Sequence, residues 1–104
     1  MGMNMQKLMK QAQKMQNDMN RAQEELKTMT VEGIAGGGMV KVVMTGAQEV
    51  VSVSISPEVV DPEDVEMLED LVLAAMREAS AASQAMAAQH LGKVTGGMGL
   101  PGMF

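Results

Sequence analysis

Four cations in the first segment of the chain, Lys7, Lys10, Lys14 and Arg21, are the residues whose types and spacing best suit a chemical task. Wound as a helix at about 100° per residue, they fall within an arc of about 60°. From Lys7 to Arg21 the row covers roughly 21 Å of helix axis. Gln6, Gln11, Gln13 and Asn17 stand between the charges. Fixed cations with amides between them suit a phosphate backbone, the charge supplying affinity and the amides hydrogen bonds. Lys93 is expected to join them near the tip of the same helical arm. Two plainer readings stand beside this one: a solvated helix face, or a basic first helix paired with an acidic second.

Other chemistries are poorly supplied. The chain has no Cys, which removes thiol nucleophiles, disulfides and thiolate zinc sites, and it has one His, His90. A histidine-built metal site or a Ser-His-Asp triad is therefore not expected. Asp61, Glu63, Asp64, Glu66, Glu69 and Asp70 lack the alternating oxygen ligands and internal Gly of a calcium loop, and read as helix capping and solvation. Gly36-Gly37-Gly38 joins two strands and leads into no Lys-Ser/Thr helix, so it is not a phosphate cradle. Ser52, Ser54 and Ser56 form the polar half of an alternating strand. No catalytic residue, metal site, cofactor or small-molecule substrate is nominated; the chain does not read as an enzyme.

The charges are unevenly placed. Over 104 residues the net charge is −5, which by itself argues against a polyanionic partner. Residues 1–30 nevertheless carry a net +2, residues 31–104 a net −7, and residues 1–16 hold three Lys and no acid. A basic arm on an acidic body needs explaining. Of the 48 apolar residues 14 are Met and 12 are Ala, and Phe104 is the only aromatic, so the core must be built from Val, Leu, Met and Ala. So small a core gives reason to expect a second copy. No apolar run approaches a membrane span, and the expectation is a soluble intracellular protein without a membrane partner.

The elements that must position the cations follow from periodicity. Met5, Leu8, Ala12, Met15, Met19, Ala22, Leu26 and Met29 alternate spacings of three and four, predicting a helix over about 3–29. Its apolar stripe lies about 130° from the basic row. Strands are predicted at about 30–35, 39–45 and 49–56, with Val51, Val53 and Ile55 on one face of the last. A second helix over about 62–91 is expected to start with Asp61 as N-cap and Pro62 at its first position, and to end at Gly92. This gives a single domain over 1–91 and a flexible Gly/Met-rich tail over 92–104. The order α-β-β-β-α implies an α+β fold: a three-stranded antiparallel sheet and two long helices that overhang it as a projecting arm. Residues near 5 and near 90 should point the same way. Exposed strand edges and apolar side chains on both faces favour a homodimer.

Several stretches resemble one known family. Met9-Lys10-Gln11-Ala12-Gln13-Lys14-Met15-Gln16 is similar to its first-helix signature. Val31-Glu32-Gly33, the triple-Gly turn with Val40-Lys41-Val42, and Ile55-Ser56-Pro57 resemble its β region. Leu68 to Ala75 resembles its second helix, and Gly-Met-Gly-Leu-Pro-Gly-Met-Phe its ending. The family is that of the YbaB/EbfC nucleoid-associated proteins of bacteria. The resemblance implies a tweezers-like homodimer that binds double-stranded DNA through its arms, in the cytoplasm and on the nucleoid, organising the chromosome or regulating genes. Carried over, the DNA contacts fall on Lys7, Lys10, Lys14, Arg21 and Lys93. The alternative is a protein-interaction or chaperone-like adaptor using the Met-rich seam. Single-stranded RNA is disfavoured by the lack of stacking aromatics.

Overall fold

A computed structural model describes residues 4–96, with side chains as far as Val94. The elements are α1 (Met5–Leu26), β1 (Thr30–Ala35), β2 (Val40–Thr45), β3 (Val50–Ile55), a 3-10 turn at Pro57–Val59, and α2 (Val65–Gly96). The predicted α+β architecture is present, with the strands in the antiparallel order β1-β2-β3.

Asn4 opens α1 by accepting a hydrogen bond from the Gln6 amide at 2.9 Å. The helix stops a turn before the expected Met29. There the amides of Lys27 and Thr28 reach back three residues, to the carbonyls of Glu24 and Glu25, and the Thr28 hydroxyl donates to the Glu25 carbonyl as well. Met29 is needed elsewhere: its carbonyl and that of Leu26 both accept from the Gly46 amide, which ties the end of α1 to the β2–β3 loop.

The glycine turn between β1 and β2 is a consequence of backbone geometry. Gly36, Gly37 and Gly38 have φ values of 62°, 67° and 95°, a left-handed run that side chains with a Cβ resist. In the resulting register Val31, Gly33 and Ala35 stand opposite Met44, Val42 and Val40. These residues form the face that α2 covers: Val40, Val42, Met44, Ala75 and Ala79 are the buried core, with Val31, Ala35, Leu71, Val72 and Met76 packed around it.

Gly33 sets the closeness of that packing. A Cβ at Gly33 would sit 2.1 Å from the Ala75 carbonyl oxygen and 2.3 Å from the Ala79 amide nitrogen, so the backbone of α2 lies directly on the backbone of β1. Further along α2, the fully buried Ser83 hydroxyl donates to the Thr45 carbonyl at 2.8 Å. The outer edge of β1 is also engaged, because the Ile34 amide donates to the Glu78 carboxylate at 3.4 Å.

Seated over β1 and β2, α2 leaves β3 bare. All six β3 residues are exposed, Val51 by 58% and Ile55 by 39%. The alternation expected for this strand is interrupted. Val43 pairs with Ser52 but Met44 pairs with Val50, so Val51 is the extra residue of a bulge and Val50 takes the place opposite Met44.

Both ends of α2 differ from expectation. Asp61 does not cap it. The Asp61 carboxylate accepts from the Glu63 amide and its carbonyl accepts from Asp64, closing a turn around Pro62; Asp64 then caps the helix by accepting from the Met67 amide at 3.2 Å. Two Asp residues three apart both suit a cap, and Pro62 is used by the turn. At the other end the helix passes through Gly92 to Gly96. Glycine costs about 1 kcal/mol in a helix interior, which packing of the surrounding turns offsets; Val94, half-buried, faces the same hollow as Ala22 of α1. Of the tail expected over 92–104, residues 97–104 lie outside the described residues.

The chain is long and thin, with extents of 76 × 25 × 16 Å and a radius of gyration of 20.2 Å, against about 13 Å for a compact domain of this length. Two substitutions test this packing. Gly33→Ala should destabilise by about 3 kcal/mol or more, because neither helix nor strand backbone can yield. Ser83→Ala should cost only about 1 kcal/mol, since the Thr45 carbonyl keeps its bond from the Gln48 amide. Urea unfolding midpoints of the two variants measure the difference.

Candidate nucleic-acid interface

Burial along α1 shows where the helix leaves the body. Leu26 and Ala22 are buried, Met19 and Met15 half-buried, and Leu8, Met9 and Met5 exposed, Met5 by 70%. The partner along the inner part is α2, running antiparallel. Leu26 and Met86 meet above Gly46, Glu25 bonds His90, and Asp18, Arg21 and Ala22 share a hollow with Lys93 and Val94. Continued at 1.5 Å per residue, this pairing brings Gly96 level with about Met19. Residues 5–14 therefore extend past the described part of α2.

This corrects the expected arm in two respects. The two helices do run in the same direction away from the sheet, but position 90 sits at the base of the arm and not near its end. Among the described residues, packing of the α1 stripe on α2 is confined to that base. Lys93, correspondingly, is not at the tip. It lies within α2 and lines a hollow of about 320 Å³ with Asp18, Arg21, Glu25 and His90, roughly 20 Å of axis from Lys7. His90 is half-buried and its Nε2 is 2.9 Å from Glu25 Oε1.

The outer cations stand free. Lys7, Lys10, Lys14 and Arg21 are all exposed, and among the described residues neither they nor Lys93 enters an ion pair. The pairs that do form are elsewhere. Lys27 bonds Glu24 at 2.9 Å, and the adjacent carboxylate pushes the lysine pKa up from its ordinary value. Lys41 lies 3.9 Å from Glu32 on the outer face of the sheet. A basic α1 neutralised along its length by an acidic α2 is thus not what the chain builds. The acids at 61–70 lie at the far end of α2, roughly 40 Å of axis from Gly96. With a screening length of about 8 Å at physiological salt, they scarcely affect the field at Lys7 or Lys10. A negative molecule can keep a locally positive tip.

Among the described residues no group of three His, Cys, Asp or Glu is placed to bind a metal ion. Ser52 and Ser54 are exposed on β3. No described helix is long and apolar enough to cross a membrane. What periodicity could not reveal is the hollow at the arm base, because the register of one helix against another is not encoded in either alone.

The sequence has close counterparts. The chain is 58% identical, over all of its 104 residues and 99% of the other protein, to a nucleoid-associated protein of Pelotomaculum thermopropionicum. It is 58% identical, with the same coverage, to a nucleoid-associated protein of Desulforamulus reducens. Among solved structures, an uncharacterized protein of Helicobacter pylori shares the fold with a TM-score of 0.72, over 92% of this chain and 97% of that one, at 22% identity. A sequence model of the YbaB/EbfC DNA-binding family matches residues 1–98. With this match along nearly its whole length, and a basic helix projecting from an acidic α-β-β-β-α body, the chain belongs to the YbaB/EbfC DNA-binding family.

Proposed function

We propose that this protein binds duplex DNA as a homodimer, chiefly through phosphate contacts from Lys7, Lys10 and Lys14, with Arg21 and Lys93 contributing nearer the body. The reading places it in the cytoplasm on the nucleoid, in chromosome organisation or gene regulation. One observation carries it: these lysines are exposed, and among the described residues unpaired, on the outer part of α1. Base-edge recognition has no support in the chain, which offers neither an aromatic wedge nor a recognition helix, so binding should tolerate many sequences.

The dimer reading rests on β3. Among the described residues its edge has no strand partner, whereas the edge of β1 is engaged by Glu78. Beside it lies an apolar groove of about 490 Å³ lined by Ile55, Leu68, Val72, Leu73 and Met76. A bare edge strand next to an apolar groove is a surface that a second copy would cover. Two copies would then offer two arms to one duplex.

Three to four phosphate contacts per protomer give about six to eight per dimer, and a slope of log K against log salt of about −5 to −7. A slope near zero, or no binding at low salt, would refute the proposal. Changing Lys7, Lys10 and Lys14 together to Glu should abolish binding while sedimentation still reports a dimer; loss of the dimer would instead assign the lysines to structure. Val53→Lys should give monomers whose DNA affinity is weaker and whose salt slope falls to about −3. Monomers with the full slope would show that pairing and DNA binding are independent.

A further inference from the structure

One proton decides the sign of the hollow at the arm base. Asp18 and Glu25 bring carboxylates to it, Arg21 and Lys93 bring cations, and His90 completes the charged lining. Histidine is the side chain whose charge ordinarily changes between about pH 5 and 8. With the ring neutral, two negative charges balance two positive; with the ring protonated, the hollow is left with one positive charge in excess. We propose that His90 is a further DNA-binding residue: its protonation turns the hollow into a phosphate position, so that duplex binding takes up protons. The inference rests on the DNA-binding reading above and adds a regulation to it.

The hollow lies where the basic row ends. At about 100° per residue Glu25 falls at the angle of Lys7, with Lys14 about 20° and Arg21 about 40° to one side and Asp18 about 20° to the other. Arg21 is roughly 10 Å of axis inward from Lys14. The α1 wall of the hollow is thus the same face that carries the lysines farther out, and α2 supplies the opposite wall through His90 and Lys93. A phosphate strand followed inward along the row arrives at this place.

The ring is placed to act as a switch. His90 Nε2 lies 2.9 Å from Glu25 Oε1, and 21% of the His90 side chain remains exposed, so solvent protons reach it. Neutral, the ring can give Glu25 one hydrogen bond but no charge, and the carboxylate opposes an incoming phosphate. Protonated, it neutralises Glu25, and Arg21 and Lys93 then outnumber Asp18. Among the described residues, Asp18, Arg21 and Lys93 enter no ion pair that would already spend their charge. The next charges toward the body are Lys27, bonded to Glu24, and Glu49 of the β2–β3 loop near Lys27.

Binding of the full chain to a duplex, at fixed ionic strength, should be about threefold tighter per arm at about pH 6 than at about pH 8, hence about tenfold for a dimer. The slope of log K against log salt should steepen by about 2 over the same change, one added phosphate contact on each arm. His90→Asn keeps a donor for Glu25 but does not titrate, so its affinity should stay near that of the unchanged chain at about pH 8 throughout. A clasp that merely holds α1 to α2 would alter thermal stability and leave the salt slope unmoved by pH. Since His90 is the only histidine, its ring signals in a proton NMR titration need no altered side chain, and added duplex should raise the pH at which they half-titrate. A midpoint that duplex leaves unchanged or lowers, or a pH response equal in His90→Asn, would overturn the inference while salt-dependent binding stands. Absence of binding at both pH values would instead remove the DNA-binding reading and this one with it.

Discussion

The close approach of α2 to β1 over Gly33 governs the architecture. With no side chain at that point, the helix backbone at Ala75 and Ala79 rests on the strand backbone, far closer than a helix and sheet with side chains between them can come. A helix held there covers β1 and β2 and cannot also cover β3. The bare strand and its groove are therefore a result of where α2 sits, and not of a weakness in β3 itself. The same placement aims the remainder of α2 past Thr45, where Ser83 anchors it, toward the end of α1. The contacts at Leu26, Glu25 and Ala22 follow, and with them the direction of the arm.

Much of this was readable in the amino-acid order, and the gaps have physical causes. The three-four spacing from Met5 to Leu26 and the alternation of Val40, Val42 and Met44 identified elements whose burial is set locally, by period. The glycine turn was equally plain, because positive φ leaves few other choices. Ends were harder. Asp61 and Asp64 are equivalent as caps until the turn at Pro62 chooses between them. Gly92 has a poor intrinsic propensity that packing of neighbouring turns overrides. The bulge at Val51 arises from pairing with Val43 and Met44, which single-strand alternation does not contain.

The candidate interface divides along the same line. That the lysines share a face follows from helical arithmetic, since α1 is unbroken from Met5 to Leu26. That the described part of α2 lies beside the inner half of α1 depends on the offset between two helices, set by packing at Gly33 and Ser83 many residues away. The expectation for Lys93 failed for this reason: its distance from the tip is measured along a different helix. His90 likewise acquires its meaning from Glu25, 65 positions away in the chain.

The separation of charge along the rod has an orientational consequence. Positive at one extremity and negative over its broad end, the molecule is a large electric dipole, and a dipole beside a uniformly negative cylinder turns before it touches. Arrival end-on would be favoured and lateral adsorption of the acidic flank opposed.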